Sequence, residues 1–151
     1  MKSVLGIDPG VRGGVVVLRA NGTVAYRCAL RPEFTEKDVA LVIQTAVQFL
    51  KSMGGNDAFI EKVGFIRGDG GLGAFSFGRI VGLLRGCVLT WGIQLHEVQP
   101  FMWQSKMECL TGGNKNVSKR RAIELFPEEK VTHSIADSLL IAEFGRRQFL
   151  S

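Results

Sequence analysis

Two short apolar runs open the chain, Val4–Ile7 and Val15–Leu18, parted by Asp8-Pro9-Gly10 and followed by Ala20-Asn21-Gly22-Thr23. Apolar runs this short, bounded by turn residues, read as strands rather than helices, so residues 3–7 and 13–19 are predicted strands. Asn-Gly between apolar runs is a strong hairpin signal and leads into a third strand at 24–30. The chain therefore opens as a three-stranded antiparallel meander. Asp8 stands at the mouth of its first, buried strand, ahead of a tight turn. That is a place for a metal or a phosphate.

The pattern then changes period. Val39, Val42, Ile43, Ala46, Val47 and Leu50 recur at helical spacing, which predicts an amphipathic helix over 36–52, with Thr35 as its N-cap and acids in its first turn. Residues 57–63 are a short apolar run and a predicted fourth strand. Because it follows a helix, a right-handed crossover sets it parallel to the first strand, with Glu61 close to Asp8. Residues 64–74 hold five of the 19 glycines and read as a surface loop displaying Phe65 and Arg67. A helix over 75–91 follows. Its Gly78, Gly82 and Gly86 form a ridge of small residues, suited either to packing on the sheet or to a dimer interface. A fifth strand at 93–98, a short helix at 101–110, a polar loop, a basic helix at 117–126 capped by Asn116 or Ser118, and a last helix from Thr132-His133 complete the order.

Length and charge narrow the class. A chain of 151 residues is expected to form one domain over 1–151. Its 19 Lys and Arg against 14 Asp and Glu, with a net charge of +5, favour an anionic partner such as nucleic acid. Cys28, Cys87 and Cys109 form no Cys-x-x-Cys pair, which points to reduced thiols rather than zinc or a disulfide framework. No cleavable leader and no bilayer-spanning run is expected, so the reading is cytoplasmic with no membrane partner.

Three acids stand in apolar surroundings: Asp8, Glu61 in Phe-Ile-Glu-Lys-Val, and Asp137 in Ile-Ala-Asp-Ser-Leu-Leu. A half-buried carboxylate costs several kcal/mol unless a cation or donors compensate it. Oxygen ligands favour Mg²⁺ or Mn²⁺ over zinc. Two such ions about 3.5–4 Å apart would suit phosphodiester hydrolysis. Each acid also has a plainer reading: an Asx turn for Asp8, an ion pair with Lys62 or Lys119 for Glu61, and a first-turn helix acid for Asp137. His133, one turn before Asp137, is a further candidate ligand or proton carrier, or simply a group at a helix start.

In order along the chain, Gly6-Ile7-Asp8-Pro9-Gly10, Phe59-Ile60-Glu61, Pro100-Phe101-Met102-Trp103 and the segment from His133 through Asp137 to Ala142 resemble the RuvC family of Holliday-junction resolvases. The similarity is nearest to the short RuvC-like resolvases of bacteriophages and extends over nearly the whole chain. It implies an α/β, ribonuclease H-like fold, with a five-stranded mixed sheet (three antiparallel strands, two parallel) flanked by helices. It further implies a homodimer that binds a four-way DNA junction and nicks two strands symmetrically with Mg²⁺ or Mn²⁺ held by four acidic positions. Asp8, Glu61 and Asp137 match three of them. The fourth is Ser134 here, which leaves His133 or Ser134 to complete the set. A lysine that often follows the tryptophan is replaced by Gln104, with Lys106 nearby.

For DNA contact, Lys115, Lys119, Arg120 and Arg121 crowd the loop and helix leading to Asp137, where they would neutralise phosphates or else form a solvated face. Phe65 is placed as the family's junction-probing aromatic would be, with Arg67 beside it. Within the same fold, other branched DNA is an alternative substrate. So is binding of branched DNA without catalysis.

Overall fold

The computed structural model describes residues 1–64, 68 and 70–149. Its centre is a five-stranded sheet in the order β3-β2-β1-β4-β5. Strands β1 (Val4–Asp8), β2 (Gly14–Leu18) and β3 (Val24–Ala29) form the antiparallel meander. After helix α1 (Glu36–Ser52), β4 (Asp57–Glu61) joins β1 in parallel, and β5 (Gln94–Val98) joins β4 in parallel. The expected mixed sheet, three strands antiparallel and two parallel, is the observed one.

Both faces of this sheet are covered, which explains why its central strands read as unbroken apolar runs. Leu5, Ile7, Val15, Val17, Ala58 and Ile60 point to one face, against α1 and helix α2 (Gly71–Thr90). Val4, Val16, Leu18 and Phe59 point to the other. That second face is closed by α3 (Pro100–Lys106), α4 (Lys115–Leu125) and α5 (His133–Arg147). Every apolar position that set the period of α1 is buried, and its start is a capping box in which Thr35 and Asp38 exchange side-chain bonds to backbone N–H groups.

Helix α5 packs on the sheet against β1, β2 and β4, buried from Ile135 to Gly145 except at Asp137. Two glycines allow this approach. A β-carbon on Gly6 would come within 2.6 Å of Ser138 O, and one on Gly14 would collide with the Ser134 carbonyl. Only a residue without a side chain lets the helix backbone settle on β1 and β2. The one acid buried further along α5, Glu143, is held by Arg146 and Arg147, each at 2.7 Å.

Several element boundaries differ from expectation. Helix α2 begins at Gly71 rather than at residue 75, because first-turn N–H groups need no helical partner and glycine is tolerated there. Helix α3 stops at Lys106, since Glu108 turns the chain with a φ of 59°. Helix α4 starts at Lys115 with Asn114 as its cap, accepting from Asn116 N at 3.0 Å. Ser118 is therefore not a cap but a buried side chain bonded to the Lys115 carbonyl.

The exposed side of α2 departs furthest from the sequence reading. By length and composition it is apolar enough to cross a bilayer, contrary to expectation, yet it packs on α1 and β5. Its Arg79 and Arg85 are paired with Glu36 and Glu97. Gly78, Gly82 and Gly86 do not pack on the sheet: among the described residues, a β-carbon on any of them would meet nothing within 4 Å. The ridge faces outward, with Leu72, Phe75 and Leu89 also exposed on this helix.

Candidate active site

The parallel pairing of β1 with β4 sets Ile7 beside Ile60, so the next residues, Asp8 and Glu61, leave the sheet at the same end. Helix α5, lowered onto β1 by Gly6 and Gly14, brings Asp137 over that end from its second turn. Asp137 is thus no first-turn acid. All three line a cleft of about 470 Å³, whose wall also includes Lys62, Phe77, Gln104, Lys115 and Ser118.

The electrostatics are those of crowded carboxylates. Burial first, then the charges of Asp137 and Glu61, push the Asp8 carboxyl well above its ordinary range, while Lys115 draws it back. Burial raises Glu61 as well, opposed by a hydrogen bond from Trp103 Nε1 to Glu61 Oε2 at 2.7 Å. Burial raises Asp137, opposed by Ser118, Lys115 and His133. Low dielectric and like charge both disfavour ionisation here, and one lysine tempers all three acids. Among the described residues Glu61 forms no ion pair, so neither Lys62 nor Lys119 is its partner.

These residues suit a hard divalent cation. The set offers oxygen atoms only, as Mg²⁺ and Mn²⁺ prefer. Asp137 Oδ1 is buried with no hydrogen-bond partner among the described residues, the kind of orphaned acceptor a cation would satisfy. Among those residues, however, no three His, Cys, Asp or Glu side chains already stand at ligating distance of one point. The carboxylates are gathered but not drawn together.

The other sequence candidates divide. Lys115 reaches the cleft, and Arg120 is exposed on the same helix. Arg121 is engaged internally: it donates to Met107 O at 2.8 Å and pairs with Glu108 and Glu124 at 2.9 and 3.1 Å. It is held as a brace between α4 and the turn after α3. Lys119 is partly buried, and neither it nor the exposed Lys106 is in the cleft wall. His133 is exposed at the start of α5, outside the wall but close enough for its charge to act on Asp137; Ser134 is half-buried. Phe65 and Arg67 lie outside the described residues. Sequence reading considered Lys62 only as an ion-pair partner and Ser118 only as a helix cap, not as cleft residues, and passed over the bond from Trp103 to Glu61. The Pro-x-x-Trp spacing marked Trp103, but not its partner.

No protein-family model and no curated protein matches the chain. Among solved structures, T. thermophilus RuvC in complex with a Holliday junction substrate superposes with a TM-score of 0.71 at 16% identity, covering 100% of this chain and 97% of that one. A second structure of Thermus thermophilus RuvC gives 0.70 at 17% identity, with 98% and 96% covered. The fold is RuvC-like, a ribonuclease H-like α/β sheet with flanking helices. At this level of identity the likeness is one of fold.

Proposed function

We propose that this protein is a metal-dependent, structure-selective endonuclease that nicks four-way junctions and related branched DNA, of the kind found in bacteriophages and acting in the host cytoplasm. The observation that carries this reading is the meeting of Asp8, Glu61 and Asp137, from two strands and a helix, in one cleft beside Lys115. The similar T. thermophilus RuvC structure holds a Holliday junction substrate, which supports this reading.

In this reading Asp8, Glu61 and Asp137 hold one or two Mg²⁺ or Mn²⁺ ions, with His133 or Ser134 available to complete the shell. The chemistry such ions would supply there is activation of water and stabilisation of the leaving oxygen of a phosphodiester. The chain's own groups do the rest. Lys115 offers an ammonium to the scissile phosphate in a cleft where low dielectric strengthens its pull. Trp103 steadies Glu61, and His133, at the rim, takes or gives a proton to solvent. Lys119, Arg120 and Lys106 neutralise flanking phosphates, and Phe65 and Arg67 are further candidate DNA contacts.

The active form is a homodimer joined through the outward glycine ridge of α2, where small residues let two helices approach closely. Two cleavage sites related by a dyad would then nick a junction symmetrically. A second reading, branched-DNA binding without cleavage, is favoured by the open spacing of the three acids. One experiment separates the two: a labelled synthetic four-way junction and a linear duplex of equal length, each with and without Mg²⁺. Nicks that require Mg²⁺ and favour the junction support the nuclease. Binding with no nicks under any divalent ion leaves the second reading.

A further inference from the structure

Trp103 is fully buried, at 0% exposure, in the same apolar cluster as Ala136, Leu139 and Leu140 of α5. Indole carries one polar atom, a donor that never accepts, and burying it without a partner is costly. The partner is Glu61 Oε2, 42 positions earlier in the chain, at 2.7 Å. Helix α3 aims the ring: Pro100 starts it, and Trp103 follows one turn later with its backbone N–H on Gln99 O.

A buried Trp needs some acceptor, and a backbone carbonyl would serve. Here it takes one oxygen of a carboxylate that also lines the acid cleft. The contrast with Glu143 is informative. That carboxylate is gripped by two guanidinium groups, Arg146 and Arg147, which cancel its charge and leave it structural. An indole N–H instead holds one oxygen of the carboxylate and adds no positive charge. Glu61 is therefore anchored at one oxygen by a group that brings no competing positive charge, as a cation ligand requires.

We propose that Trp103 is a positioning residue for divalent-cation binding: through its indole N–H it holds one Glu61 oxygen so that the carboxylate is presented to the cleft in a single orientation. The inference rests on the nuclease reading above and adds to it a residue that touches neither DNA nor metal. Trp103→Phe keeps an aromatic ring and removes the donor. Partners of this kind typically contribute about 10–100-fold to metal affinity.

The test is a titration with Mn²⁺ alone, following free Mn²⁺ by electron paramagnetic resonance, on the whole chain without DNA. Trp103→Phe is expected to weaken binding by about 10-fold or more. Affinity within about 2-fold of the parent would overturn the role of Trp103 and leave the metal site standing. No Mn²⁺ binding by the parent would overturn the metal site and the role together. Should the variant fail to fold, the parent still decides. Its Trp103 indole N–H resonance, told apart from that of Trp91 by Trp91→Phe, is expected to move on addition of Mg²⁺, and an unmoved resonance sinks the proposal.

Discussion

Gly6 of β1 lies so close to Ala142 of α5 that a β-carbon at position 6 would stand 2.5 Å from the Ala142 backbone nitrogen. No rotamer change relieves a contact with backbone, so the distance between sheet and helix is set by this glycine. Gly6→Ala should lower stability by about 1–3 kcal/mol through overpacking. It should also lift α5 and carry Asp137 away from Asp8. Thermal melting reads the first effect and junction cleavage the second. A variant with parental melting and cleavage would show that α5 is not held by this contact.

Asp8 gives two linked expectations. Asp8→Asn removes a ligand while keeping its shape, so cleavage of a four-way junction should disappear and junction binding persist. Cleavage at the parental rate with Mg²⁺ present would end the metal assignment. The same substitution should stabilise the metal-free protein. The folded carboxyls of Asp8, Glu61 and Asp137 sit above their ordinary values, chiefly through burial. The folded state therefore keeps protons that the unfolded chain releases near pH ~4, and stability falls as pH rises from there through the folded values. Asp8→Asn should melt higher than the parent at pH 8, with the gap closing toward pH 4. Each kcal/mol regained is worth about 2–4 °C.

Two cations a few residues apart should behave differently. Lys115 lines the cleft, whereas Arg121 braces Met107, Glu108 and Glu124. Lys115→Ala should weaken junction binding and reduce its salt dependence by about 0.9 in the log–log slope for one lost phosphate contact. Arg121→Ala should leave that slope unchanged and lower the melting temperature instead. Binding isotherms at several salt concentrations, beside a melt, distinguish them.

The glycine ridge of α2 predicts an assembly. A β-carbon at Gly82 meets nothing within 4 Å among the described residues of its own protomer. Gly82→Trp should therefore leave the protomer folded, yet turn a dimer into monomers in analytical ultracentrifugation. Because two sites are needed for symmetric nicking, paired incisions should become single ones. An unchanged sedimentation coefficient would place the interface elsewhere.

Much of this architecture was legible in the residues themselves. Short apolar runs bounded by turn residues marked β1, β2 and β4, the Asn21-Gly22 hairpin signal marked β3, the spacing of Val39 through Leu50 marked α1, and Asp8 and Glu61 were placed at neighbouring strand ends because parallel strands share their ends. Periodicity reports which side of an element is apolar. It does not report what covers that side. Hence the ridge at Gly78, Gly82 and Gly86 suited either a sheet or a second chain, and only the folded protomer left it bare.

Side-chain partners were less legible still. Arg121 belonged to a run of cations with nothing in its neighbours to show that Glu108 and a carbonyl at Met107 would claim it. Trp103 and Glu61 are linked across 42 positions by one hydrogen bond that no local pattern encodes. Local preference and period determined the strands, α1 and the strand-tip acids, since those depend on near neighbours along the chain. The closeness of α5 to the sheet, the anchoring of Glu61 and the exposure of α2 were decided by tertiary packing, because each depends on which distant surface arrives and how near it can come.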